Sequence, residues 1–454
     1  MIWVVVFTER GIIIMSVCKK RAWETLTKLS FERIAGTPEE KKAAEMILEE
    51  MQKAGVEASI EEFEIDMPEI TEVSFAVTKP EYKEYHCIGI GKSGTTPDEG
   101  ITAPFAYVEN ALEANLTDVK GKIVLVTGRM MGDAAERLAK AGAVGYIAIH
   151  GSLYDEEALV KELRPRNSRG KGTNLPGIVI HITDAEALVR SHPEEVKIVL
   201  KQEADKKGTS RNVVGTIEGT DLKDEIIVFT GHFDSVAYST GAWDNMTGTI
   251  TVLELMHYFK EHQPRRTMKF VACGSEEIGC IGSREYCNQH KDELDKYIFN
   301  INFDMTGVTL GYEAFCCSAS DEVKHAVEYL AKLEGYAMDS KMDMYPSDSS
   351  SFASAGVPAC TFARLQCPGG AQIHNRYDVM DRLDPDSFMI TLNFAVKLSE
   401  QIANSTVNLI PRKFSDELMK KMEERKKMIA KMMGEDKKED KKEEAKEEPK
   451  EDKK

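Results

Sequence analysis

Three apolar runs in the second half of this chain, Ile226 to Thr230, Thr267 to Cys273 and Tyr297 to Phe303, each lead within a few residues to an acid or a histidine. Runs of this kind read as strands buried on both faces, the mark of a parallel sheet covered by helices. Stretches such as Ile250 to Lys260 between them read as those helices. In open α/β sheets ligands collect beyond the carboxyl ends of the strands. The first strand delivers His232 there through Gly231, the second leads to Glu276 and Glu277, and the third ends directly at Asp304. The fold class expected is α/β, with a mixed, mostly parallel sheet, helices on both faces, and a smaller inserted β-rich α/β lobe.

The early part of the chain supplies one more helix for that sheet. Thr37-Pro38-Glu39-Glu40 combines an N-cap threonine, proline at the first helical position and a capping-box glutamate. Ala43, Ala44, Ile47, Leu48 and Met51 follow at helical spacing, and Gly55 ends the pattern. From about Asp66 to Asp205 the texture changes to short strands and turns: a strand over Lys122 to Val126, a helix over Asp133 to Ala141, then strands over Val144 to Ile149, Gly177 to Ile182 and Val196 to Leu200. The domains expected are therefore a discontinuous main domain over 16–65 and 206–410, an inserted lobe over 66–205, and a charged tail over 411–454. In the tail, Phe414 to Met433 reads as helical and the last twenty residues as disordered, because almost nothing apolar follows Met433.

Charge and cysteine content narrow the classes of function. The chain has 454 residues, 42% of them hydrophobic, and a formal net charge of −17. No basic stripe or zinc knuckle is present, so nucleic acid is not an expected partner. The nine cysteines lie at irregular positions and read as reduced thiols, most of them buried as small hydrophobes. At the N-terminus Glu9 and Arg10 split an apolar stretch into runs too short to span a bilayer, and Met15 is an alternative start. The expectation is a cytoplasmic protein, with a secreted one as the alternative, no membrane partner and no assigned oligomeric state.

The chemistry lies in the set of acids and histidines taken together. Asp244 sits in the glycine-bounded loop Gly241-Ala242-Trp243-Asp244-Asn245-Met246-Thr247-Gly248, and His374 lies between Pro368-Gly369-Gly370 and an acidic stretch. Singly, Asp244 reads as a helix cap and His374 as a loop histidine. Adjacent carboxylates in a dry cleft, however, need cations or protons to coexist. Five donors of mixed nitrogen and oxygen type, His232, Asp244, Glu277, Asp304 and His374, suit two zinc ions, with cobalt or manganese as substitutes. Asp244 would bridge, His232 and Asp304 completing one site and Glu277 and His374 the other. Such a pair lowers the pKa of a bound water to roughly 7. Glu276, not needed as a ligand, is placed as the general base, and Asp234, two residues past His232, as the group that orients the imidazole. The reaction class is metal-assisted amide hydrolysis.

These residues resemble the co-catalytic zinc aminopeptidase family, which includes bacterial leucyl aminopeptidases and glutamate carboxypeptidases. The resemblance runs from about Asn212 to Ser399 through GHFDS, GAWDNMTG, GSEEIGCIGS, NFDMTG, SDSSSFASAGVPA and IHNRYDVMDRLD. It implies the same five ligands and the same base. DVKGKIVLV at 118–126 and AKAGAVGYIAI at 139–149 resemble the protease-associated domain that many members carry. Two departures stand out: Ser347-Asp348-Ser349 where many members read Ser-Asp-His, and Ile373 where a tyrosine commonly precedes the last histidine, which leaves oxyanion binding open to Tyr345 or Tyr377. The expected function is a zinc metallopeptidase that removes N-terminal residues from peptides. The alternative is a carboxypeptidase or dipeptidase, for which Arg364 and Arg376 are candidate carboxylate clamps. A non-catalytic binding protein is the remote third reading.

Overall fold

In the computed structural model, which describes residues 5–8, 11–14, 17–127, 132–153, 166–167 and 174–433, neighbouring residues of one strand enter two different cores. Ile227 and Phe229 pack into one cluster, whereas Ile226 and Val228 pack into another. Met268, Phe270 and Ala272 likewise separate from Val271 and Cys273. A strand's side chains point alternately to its two faces, so a strand that is apolar at every position must be covered on both. The Arg266–Cys273 and Tyr297–Phe303 strands are buried along their whole length, as the sequence indicated.

The chain forms two compact units, one from the residues up to Ile65 together with Gly208–Met422, the other containing Asp66–Lys207. In the first unit eight strands lie in the order Met338–Met342, Gly311–Ser318, Ala359–Gln366, Tyr297–Phe303, Leu222–His232, Arg266–Cys273, Lys207–Ile217, Glu57–Asp66. The four central strands, from Ala359–Gln366 to Arg266–Cys273, run parallel. Antiparallel pairs flank them on either side. The Lys19–Leu29, Pro38–Lys53, Thr247–Glu261 and Pro385–Asn404 helices supply residues to the core on one face. The Ile281–Gln289 and Ser349–Ser354 helices supply Tyr286, Cys287, Phe352 and Ala353 to the core on the other.

The Pro38–Lys53 helix begins as its sequence indicates, with Thr37 accepting the Glu40 N–H at 3.3 Å. The return bond of the expected capping box lands one residue earlier: Glu40 Oε2 accepts the Gly36 N–H, not that of Thr37. The same carboxylate meets Ser210 and, at 2.7 Å, Arg211. Burial raises its pKa to about 7 even so, against those two partners.

The second unit is a nine-stranded sheet with helices Gly132–Lys140 and Ile182–Arg190. Its two apolar clusters again divide Ile123 and Leu125 from Val124 and Val126. The Asp416–Met433 helix falls inside the span expected to be helical; the last twenty residues and Met15 lie outside the described residues. Among the described residues no helix is long and apolar enough to cross a membrane.

Candidate metal centre

His232 is the last residue of the Leu222–His232 strand, beside Cys273 of the neighbouring parallel strand. The approach to it depends on Gly231, where a Cβ would come within 2.8 Å of the Gly248 backbone. Two glycines thus let the strand end pass against the start of the Thr247–Glu261 helix. Asp304 follows the Tyr297–Phe303 strand and donates its N–H to Phe362 O at 3.0 Å. Asp244 comes from the Gly241–Met246 turn and His374 from the loop after the Ala359–Gln366 strand, where its backbone takes φ +63°.

These residues converge in two groups that share Asp244. His232, Asp244 and Asp304 form one; Asp244, Glu277 and His374 form the other. Asp244 offers one oxygen to each: Oδ1 lies 3.2 Å from His232 Nε2, and Oδ2 lies 3.0 Å from His374 Nε2. His374 Nε2 is also 3.1 Å from Glu277 Oε2. His232 Nε2 is 3.8 Å from both Asp304 Oδ1 and Glu276 Oε2. All seven residues singled out from the sequence therefore meet in one place, Asp234 lying behind His232 with Oδ1 at 3.5 Å from Nδ1.

Asp234 also engages the backbone of the neighbouring strand end. Its two oxygens accept the N–H groups of Glu276 at 3.0 Å and Glu277 at 3.2 Å, tying the ends of two adjacent strands together. Several residues with parallel duties were not distinguished in the sequence. Asp378 accepts the N–H groups of Trp243 at 2.7 Å and Asp244 at 3.1 Å. Asn245 donates to Phe303 O at 2.8 Å and accepts from Gly248 and Met305, both at 3.0 Å. Arg33, fully buried, donates to the carbonyls of Phe233, Thr240 and Gly241, clasping both loops that carry the acids. Burial lowers its pKa to about 10, opposed by Asp234 and Asp378.

Electrostatics alone show that this pocket is short of positive charge. Burial pushes the His232 pKa down, but Glu276, Asp234, Asp244 and Asp304 outweigh it and the net shift is well upward. His374 rises to about 10 against the same burial, through Asp244 and Glu277. Burial drives Glu276 well above the ordinary carboxylate range, with Asp304, Asp348 and Glu277 adding to it against His232. Asp348, completely buried, is raised to about 6 for the same first reason.

The donor atoms fit metal. His232 Nε2 and Asp304 Oδ1 are buried without a hydrogen-bond partner among the described residues. A buried polar atom left unpaired is costly, and both of these belong to the first group. Nitrogen and oxygen donors with no thiolate match zinc.

Of the two tyrosines considered for the oxyanion, Tyr345 has its pKa pushed up, by burial first and then by the charges of Asp304 and Asp244. It also lines a cavity of about 260 Å³ with Tyr312, Ala314, Cys316, Ala363 and Leu365. Tyr377 lies under the Arg376 guanidinium, 5.9 Å from the ring centre. Arg364, one of the two candidate carboxylate clamps, is already engaged by Glu313 at 2.8 Å and by Val308 O at 2.7 Å.

The profile of peptidase family M28 matches residues 212–398, the span that contains every residue of both groups. Over that span the chain is similar to peptidase family M28. Aminopeptidase YwaD of Bacillus subtilis is 31% identical over 298 residues, 64% of this chain and 62% of that protein. Human carboxypeptidase Q is 26% identical over 286 residues, 58% of this chain and 60% of that one. The aligned region thus spans about three fifths of these curated relatives. The solved structure of BSAP, a zinc aminopeptidase from Bacillus subtilis, superposes with a TM-score of 0.74 at 25% identity, covering 89% of this chain and all of that one.

Proposed function

We propose that this protein is a zinc-dependent exopeptidase of the M28 type that removes N-terminal residues from peptides, in which Asp244 would serve both of two metal ions. The observation that carries the reading is the division of one aspartate between two histidines, each completing a separate group of donors. His232 and Asp304 would hold one ion, Glu277 and His374 the other. When bound, the ions supply Lewis-acid polarisation of the scissile carbonyl and an acidified water.

The chain's own residues do the rest. Glu276 Oε2 takes a proton from the attacking water and returns it to the departing amine, so that one water is consumed as the C–N bond is replaced by C–O. The acid-rich pocket favours the free ammonium of an N-terminus. Tyr345 is the candidate for holding the oxyanion.

Peptides are accordingly the proposed partners, and the cytoplasm the proposed location. We infer that the Asp66–Lys207 unit is a protease-associated domain, supported by the segments at 118–126 and 139–149. A carboxypeptidase is the second reading because of the carboxypeptidase Q relatives. Against it, one candidate carboxylate clamp, Arg364, is occupied within the fold.

The deciding experiment is elemental analysis combined with a substrate panel. Close to two divalent ions per chain, aminoacyl-anilide hydrolysis lost on chelation, and no cleavage of N-acetylated substrates are expected. Cleavage of N-acetylated peptides from their carboxyl end would overturn the aminopeptidase reading in favour of the second.

A further inference from the structure

A general base must present one oxygen to the water, and something has to decide which. Glu276 stands at the start of a tight turn in which the N–H groups of Gly279 and Cys280 both donate to Glu276 O at 2.8 Å. Cys280 takes φ +53° there, a conformation that residues with side chains seldom adopt. The turn brings the Cys280 thiol back over the glutamate, with Sγ 3.2 Å from Oε1. Among the described residues this is the one hydrogen bond made to the Glu276 carboxylate. The second oxygen, Oε2, faces His232 Nε2 at 3.8 Å.

We propose that Cys280 is a positioning residue for the general base, its S–H holding Glu276 Oε1 so that Oε2 is the oxygen offered to the reacting water. The inference rests on the hydrolase reading above and adds a residue to it. A thiol can fill this role because its S–H is a hydrogen-bond donor and Sγ lies within reach of Oε1. Burial and the nearby Glu276 charge push the Cys280 pKa well up, so the thiol keeps the proton it donates. Cys280 is partly exposed, unlike most of the other cysteines, and so within reach of reagents.

The test compares zinc-loaded wild type, Cys280→Ala and Cys280→Ser as full chains, measuring kcat and KM separately together with metal content and thermal midpoint. Loss of one hydrogen bond on the base should lower kcat in Cys280→Ala by about three- to tenfold, with KM and metal content unchanged. Cys280→Ser, which restores a donor, should recover most of that loss. A readout independent of turnover is the rate at which an aromatic disulfide reagent labels Cys280, followed by mass spectrometry. Glu276→Gln should raise it severalfold, since a neutral amide no longer opposes the thiolate.

Wild-type kcat in Cys280→Ala overturns the proposal. So does a serine variant as impaired as the alanine one, a loss that follows metal content, or labelling indifferent to Glu276→Gln. A zinc-loaded wild type inactive on every peptide would remove the hydrolase reading and this inference with it, whereas undiminished Cys280→Ala removes the inference alone.

Discussion

Asp234 and Asp378 act in the same physical way, each using both carboxylate oxygens to accept two consecutive backbone N–H groups beside a ligand. This freezes the backbone of Glu276-Glu277 and of Trp243-Asp244, so the ligand carboxylates cannot retreat from one another. Asp378→Ala leaves two buried N–H groups unpaired, and metal affinity should fall by about 10–100-fold, the usual cost of removing such support; titration with a zinc-chelating dye would measure it. Glu276→Gln should behave differently, keeping near-normal metal content while turnover drops by about 10²–10⁴. Equal loss of metal and activity would mean that Glu276 is a ligand. Asp234 was legible because it lies two residues from His232. Asp378 acts on a loop 135 residues away, and only folding brings the two together.

Elements were legible where burial was complete. The strand from Arg266 to Cys273 sends Met268, Phe270 and Ala272 into one core and Val271 and Cys273 into the other, and the strand from Tyr297 to Phe303 is buried along its whole length. The edge strand Met338–Met342 carries Asp339 and Lys341 on exposed positions and has no such signature. The Pro38–Lys53 helix was read from its cap, yet the glutamate of that cap turns out to be a buried partner of Arg211. Its consequence is a pH effect of definite sign. Glu40 has a folded pKa of about 7 against an ordinary value of 4.5. Below 4.5 both folded and unfolded chains hold the proton; as pH rises the unfolded chain loses it first, and stability declines until the folded group has also ionised. Relative to Glu40→Gln, the wild type should therefore lose stability between about pH 4.5 and pH 7, on the order of 3 kcal/mol. Thermal midpoints of the two proteins across that range would show it, and a constant difference would contradict it.

At the scale of the molecule, the main sheet brings five carboxylates, Asp234, Asp244, Glu276, Glu277 and Asp304, to one end with two imidazoles. Cations that bind only this folded arrangement must stabilise it. At a free concentration 1,000 times its Kd, one such ion contributes about 4 kcal/mol. Chelation should lower the thermal midpoint, and zinc should restore it together with activity; an unchanged midpoint would show that the acids are neutralised by protons. Residue type and local spacing already marked the strand ends and the acids and histidines that meet there, because each mark depends on a few neighbouring positions. Long-range packing alone settled the rest: one oxygen of Asp244 for each histidine, the grip of Arg33 and Asp378 on distant loops, the engagement of Arg364 by Glu313, and the thiol resting on Glu276. Contacts of that kind are set by how a covered sheet closes, and no stretch of local sequence carries the distance between two side chains.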